Sequence, residues 1–162
     1  LFSEHPLFRD QQLFAAYLAH GGEFELAPLI QKIWQTQKQC YLPVLAAAGT
    51  GLLQFVKYQE ETLLQTNRYH ILEPEFNARE ECLAADLNVV LVPLTAFNRQ
   101  GVRLGSGGGY YDRTFAFKVG QSEAKPFLIG VGFSQQEVVK LPHADWDVKL
   151  DGILTEKELL IF

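Results

Sequence analysis

"LNVVLVPLTAF", from Leu87 to Phe97, is the stretch that most narrows what this chain can fold into. It is apolar at odd and even positions alike and rich in β-branched residues, so a strand here buries both of its faces. Only a sheet covered on each side meets that demand, and such sheets are mostly parallel. "PFLIGVGF", Pro126 to Phe133, repeats the signature. Leu26, Leu29, Ile30, Ile33 and Trp34 recur at three- and four-residue spacing, which predicts an amphipathic helix. "LFAAYL", Leu13 to Leu18, admits a strand or a helix, and the turn signal His20-Gly21-Gly22 suits a strand. "CYLPVLA", Cys40 to Ala46, and "LLQFVKY", Leu52 to Tyr58, predict two strands across the Ala/Gly-rich turn Ala47 to Gly51. Strands alternating with helices make the expected fold class an α/β sandwich around a mostly parallel central sheet.

A chain of 162 residues with 48% hydrophobic residues is long enough for one domain with a sizeable core. Its net charge of -5 argues against a nucleic-acid partner, although a local basic patch for phosphates is compatible with it. Leu87 to Phe97 is the longest apolar run and is too short to span a bilayer. With no signal-peptide pattern at the start, the expected compartment is the cytoplasm. Cys40 and Cys82 have neither C-x-x-C nor histidine spacing, so they read as inert thiols. His5, His20, His70 and His143 share no ligand spacing either. The chain opens at Leu1 and contains no methionine, so further N-terminal sequence is expected ahead of it.

Beyond the Leu87 to Phe97 run comes "RLGSGGGYYDR", Arg103 to Arg113. Ligands of open α/β sheets bind beyond the carboxyl ends of the strands, which is where this loop is expected. Glycines at Gly105, Gly107, Gly108 and Gly109 permit positive φ and leave backbone N–H groups open, a combination that can wrap an anion. A helix starting near Tyr110 would add its N-terminal amides and dipole. The run matches neither G-x-x-x-x-G-K-[ST] nor G-x-G-x-x-G. Without a lysine, the balancing charge falls to Arg103, Arg113 or a metal ion held by Asp112. A plain solvent turn is the competing reading of such a glycine cluster.

"FNRQGVRLGSGGGYYDRTF", Phe97 to Phe115, resembles the signature of the 5-formyltetrahydrofolate cyclo-ligases, and the resemblance extends to "AAYLAHGGEFELAPLI", "CYLPVL", "ILEP" and "LPHADWDVKLD". It implies a three-layer α/β/α sandwich with a mostly parallel central sheet, of the sugar-phosphate isomerase and CoA-transferase type. It also implies one cyclo-ligase domain over residues 1–162. The implied reaction is ATP- and Mg2+-dependent closure of 5-formyltetrahydrofolate to 5,10-methenyltetrahydrofolate, with ADP and phosphate released. Small molecules, reduced folate and ATP, are then the partners of a monomer that binds no nucleic acid and no membrane. The family's basic N-terminal helix has no match before Leu13, where Arg9 is the lone basic residue, and it is expected to lie ahead of Leu1.

By this resemblance Arg103, Leu104, Gly105, Ser106, Gly107, Gly108, Gly109, Tyr110 and Tyr111 line the ATP phosphates. Ser106 to Tyr110 also face the folate, and Arg103, Tyr110 and Asp112 form the catalytic set. Asp112 and Asp147 are the implied magnesium ligands, with Asp145 close enough to be mistaken for the second. Asp112 taken alone reads equally as a helix N-terminal residue, and the two roles are compatible. Glu23 matches a folate-contacting glutamate whose carboxylate accepts from pterin N–H groups, and by itself it reads as a turn residue. Leu18 packs beside the folate by resemblance and reads as core by composition. Tyr69 stands where an aromatic ring stacks on the folate in some family members, whereas composition alone makes it a core residue. Two other readings of the same architecture remain: a sugar-phosphate isomerase or CoA-transferase-like enzyme, and a non-catalytic nucleotide- or folate-binding regulator.

Overall fold

The structure is a computed structural model that describes residues 1–121 and 123–162. In chain order its elements are α1 (Pro6–Arg9), β1 (Leu13–Ala15), α2 (Ala27–Gln35), β2 (Gln39–Leu45), β3 (Leu53–Lys57), β4 (Leu64–Thr66) and β5 (Leu72–Pro74). There follow β6 (Glu81–Cys82), β7 (Val89–Pro93), β8 (Ala96–Phe97), β9 (Arg103–Leu104), α3 (Tyr110–Thr114), β10 (Phe127–Val131), β11 (Gly152–Leu154) and β12 (Leu159–Ile161). The main sheet has eight strands in the order β12-β11-β10-β7-β1-β2-β3-β6. Its centre, from β11 to β2, is parallel, and antiparallel strands close both edges.

Period-two alternation splits the core between the two faces of this sheet. Phe14, Leu42, Val89, Leu91 and Ile129 point to one face, where Ile30 and Ile33 of α2 and the N-terminal Phe2 and Phe8 cover them. Ala15, Tyr41, Val90, Val92 and Leu128 point to the other, beneath Phe115, Val148 and Leu150. Both faces of β7 are thus buried, as its composition requires.

The expected three-layer sandwich is not realised as two full helical layers. α2 has nine residues and α3 only five, so the N-terminal turns and the segment around Val148 to Leu150 complete the cover. These loops can be buried because their backbone is satisfied, as where the Leu150 N–H donates to the Gly101 carbonyl at 2.8 Å. The Leu87 to Phe97 run also divides. β7 stops at Pro93, and the Thr95 N–H donates back to Leu104 in a separate β8–β9 hairpin.

α2 forms where the apolar spacing predicted it. Pro28 sits in its first turn, where no N–H is needed, and the Glu25 carboxylate accepts from the Ala27 N–H at 2.9 Å. Gln37, at φ +60°, ends it. On the opposite side of the sheet the Lys118 ammonium, almost wholly buried, donates to the Ala124 and Pro126 carbonyls and to Asp151 Oδ2 at 2.8 Å.

The chain runs from β1 to β2 on one side and later returns to place β7 on the other side of β1. β1 and β7 therefore flank a switch point, and a crevice opens beyond their carboxyl ends.

Candidate active site

Tyr17 and Leu18 beyond β1, and Pro93, Leu94 and Thr95 beyond β7, line a cavity of about 1200 Å³ at this switch point. Single-ligand pockets usually span about 300–1,000 Å³. The cavity is larger than that range. Its wall includes Leu18, Glu23, Asp112, Asp147 and every residue from Arg103 to Tyr111, which the resemblance assigned to ATP, folate and metal, while Asp145 is not part of it.

The β8–β9 hairpin delivers the glycine loop to the cavity. Gly107 and Gly109 take φ of +97° and +68°, a region an L side chain enters only with strain. A Cβ on Gly108 would lie 2.9 Å from the Tyr110 ring. α3 does begin at Tyr110, but at five residues its dipole is small, so attraction for an anion rests on the loop amides and Arg103.

The two arginines that flank the loop are not equivalent. The Arg113 Nε donates to the Gly51 carbonyl at 2.9 Å, its Nη2 donates to the Gly108 carbonyl, and its guanidinium lies over the Tyr110 ring. Arg113 therefore fastens the loop. Arg103 leaves most of its donors unused: its side chain is 9% exposed, its guanidinium lies over Tyr111, and its only ion-pair contact among the described residues is Nη2 with Asp112 Oδ1 at 3.5 Å.

Asp112 Oδ1 also accepts the Val148 N–H at 3.0 Å, which ties α3 to the segment carrying Asp147. Asp147 Oδ2 accepts from the Ala144 N–H at 2.9 Å. Each carboxylate is thus oriented through one oxygen, while the other has no protein partner among the described residues. Among those residues there is no cluster of three or more metal-binding side chains. Two hard oxygens without a cage suit Mg2+, which keeps waters and takes its remaining ligands from phosphates.

The opposite wall is formed by the turn after β1. Glu23 Oε2 accepts the His20 N–H at 3.0 Å. Burial raises the Glu23 carboxyl above its ordinary value, and the hydrogen bond and charge of His20 pull it partly back. Tyr17 and Tyr111 flank this acid, and burial pushes both phenols up as well. Cys40 lies in the core, where burial drives its thiol to about 12, an inert group as expected.

Tyr69 is not the core residue that composition suggests. It is 49% exposed, stands on the cavity wall, and shares a 2.9 Å hydrogen bond with the Tyr110 hydroxyl. Hydrogen bonds with Tyr110 and Arg68 lower its phenol. The sequence reading missed its neighbours Asn67, Arg68 and Glu73. Glu73 Oε2 accepts from the Leu45 N–H and from Asn67, which anchors the β4–β5 hairpin to the main sheet. The "ILEP" motif, which contains Glu73, was the available signal.

Fold and cavity define an α/β protein with a large cavity at the switch point of its sheet, lined by a glycine loop and by the half-buried Glu23. The chain matches the sequence profile of the 5-formyltetrahydrofolate cyclo-ligase family over residues 2–156 and belongs to that family. It is 37% identical over 145 residues to the 5-formyltetrahydrofolate cyclo-ligase of Escherichia coli K12, covering 90% of this chain and 78% of that one. The Haemophilus influenzae protein of the same name is 36% identical over 147 residues, covering 90% of this chain and 76% of that one. In structure it is similar to 5,10-methenyltetrahydrofolate synthetase of Aquifex aeolicus, with a TM-score of 0.79 at 28% identity over 99% of this chain and 76% of that one.

Proposed function

We propose that this protein uses ATP to close 5-formyltetrahydrofolate to 5,10-methenyltetrahydrofolate. The observation that carries the reading is a single cavity in which the glycine loop, the Asp112 and Asp147 carboxylates and Glu23 all meet. The formyl oxygen attacks the γ-phosphorus, the bond to the bridging oxygen breaks, and ADP leaves with its electron pair. N10 then attacks the activated formyl carbon, its proton is lost, and the C–O bond breaks to release phosphate. No protein nucleophile takes part, so catalysis is alignment and charge neutralisation.

Within that scheme Arg103 to Tyr111 cradle the phosphates through loop amides and the Arg103 guanidinium. Ser106 to Tyr110 present them to the folate, with the Tyr110 hydroxyl at the junction of the two ligands. Glu23 accepts from the pterin N–H groups and Leu18 packs against the ring. Asp112 and Asp147 would hold Mg2+, which when bound neutralises phosphate charge. We read residues 1–162 as one such domain, acting as a cytoplasmic monomer on small molecules. Among the described residues no helix is long and apolar enough to cross a membrane.

The test is to mix the protein with 5-formyltetrahydrofolate, ATP and magnesium and to follow methenyl product by absorbance. Product is expected only when ATP is present. Its absence with a folded protein that still binds either ligand would overturn the enzyme reading in favour of a regulator.

A further inference from the structure

Arg68 stands on the rim of the cavity, exposed, next to two of its wall residues. Its Nη2 donates to the Tyr110 hydroxyl at 2.7 Å, and its guanidinium lies 5.1 Å from the centre of the Tyr69 ring. Among the described residues it has no carboxylate partner, although the chain holds 19 acidic residues against 14 basic ones. A guanidinium carries five N–H donors in a planar fork. The Tyr110 and Tyr69 hydroxyls take up part of it here, and the donors left over can match a carboxylate.

The mounting is rigid. Asn67 Oδ1 accepts from the Tyr69 and Ile71 N–H groups, Asn67 Nδ2 donates to buried Glu73, and His70 turns the chain at φ +60°. Arg68 and Tyr69 therefore sit at fixed positions on the tip of the β4–β5 hairpin, beside Tyr110 at the end of the glycine loop.

A folate is long and has two unlike ends. Its reduced pterin and the reacting N5 and N10 lie at one end, followed by a benzoyl ring and then a glutamate with two carboxylates. A folate with its pterin end between Glu23 and the loop would run its benzoyl ring past Tyr110 and Tyr69 and bring its carboxylates to the rim. We propose that Arg68 is the docking cation for the glutamate carboxylates of the folate tail. This rests on the cyclo-ligase reading above. Tyr69 supplies the aromatic face along which the benzoyl ring runs, and Arg68 makes the site selective for a substrate that carries its amino-acid tail.

The test compares 5-formyltetrahydrofolate with 5-formyltetrahydropteroate, which has the same reacting centre and no glutamate. For the wild-type protein kcat/KM is expected to favour the tailed substrate by about tenfold, the size of a charge-assisted hydrogen bond, with the difference in KM. In Arg68→Gln that preference falls to near unity, and in Arg68→Lys, which keeps the charge without the fork, it is intermediate. Equal slowing of both substrates in Arg68→Gln would overturn the proposal and reduce Arg68 to a support for Tyr110. A raised KM for ATP with the tail preference intact would overturn it too, by moving the cation to the nucleotide. If the wild-type protein cyclises neither substrate, the cyclo-ligase reading itself fails.

Discussion

Two ion pairs in this molecule share the same chemistry and differ in what they leave open. Lys118 and Asp151 are packed under the sheet with side chains 2% and 13% exposed, and all three donors of the ammonium are used within the protein. The ammonium reaches two carbonyls and Asp151 Oδ2, and that same oxygen accepts the Leu128 N–H at 2.7 Å. Arg103 and Asp112 stand in the cavity wall at 3.5 Å, with most donors of the guanidinium and one oxygen of the carboxylate unmatched by protein. A pair whose cation has every donor used is saturated in that sense and holds a fold in place. An unsaturated one costs stability and keeps its capacity for a ligand.

The comparison breaks most visibly at the saturated pair. Lys118→Met leaves Asp151 buried without its cation, a change that costs about 3–5 kcal/mol. Thermal unfolding is expected to move down by on the order of 10 °C for a chain of this size. Adding Asp151→Asn keeps an acceptor for the Leu128 N–H while removing the stranded charge, and the double variant recovers part of the loss. A midpoint unchanged in Lys118→Met would mean that the pair contributes nothing beyond packing.

At the unsaturated pair the order of effects reverses. Asp112→Asn retains an oxygen for the Val148 N–H and removes the charge that, in the proposed reading, faces the phosphates. Cyclisation rate is expected to fall about a hundredfold, or about 2.7 kcal/mol of barrier. Thermal stability changes far less than in Lys118→Met. Measuring rate and unfolding on the same preparation sharpens the contrast. A large drop in midpoint with the rate per folded molecule intact would make Asp112 a second structural acid.

What the sequence discloses follows the same division. β7 and β10 were legible because a strand buried on both faces has to be apolar on both faces, and α2 because nine residues are enough to show a helical period. The two-residue β8 and β9 and the five-residue α3 are too short to carry any period, so their arrangement had to come from the structure. The glycine run announced itself by composition. Nothing local distinguished Arg103 from Arg113, because the Gly51 carbonyl that engages Arg113 lies 62 residues away. Tyr69 was misread for a similar reason: its exposure depends on a hairpin held by Glu73 against Leu45, across 28 residues.

Glu23 carries the comparison to its smallest effect. Its carboxyl is raised above the ordinary 4.5, first by burial, so ionising it costs the folded state more than the unfolded chain. In the window above 4.5 the native state binds more protons than the unfolded one, and stability from this group falls as pH rises through the folded value. Below both values the penalty is absent. Glu23→Gln removes the titration and can keep the bond from the His20 N–H, so it is expected to unfold at a slightly higher temperature than the wild type at pH 7. The two proteins converge in acid. Binding runs the other way, because only the carboxylate accepts strongly from a pterin. The KM for 5-formyltetrahydrofolate in the wild type is expected to rise as pH falls through the raised value, earlier than an ordinary glutamate would dictate, and in Glu23→Gln to be high and flat. If Glu23→Gln loses stability at pH 7 and keeps the wild-type pH profile, Glu23 belongs with Asp151 among the residues that hold the fold and not with Asp112 at the ligand.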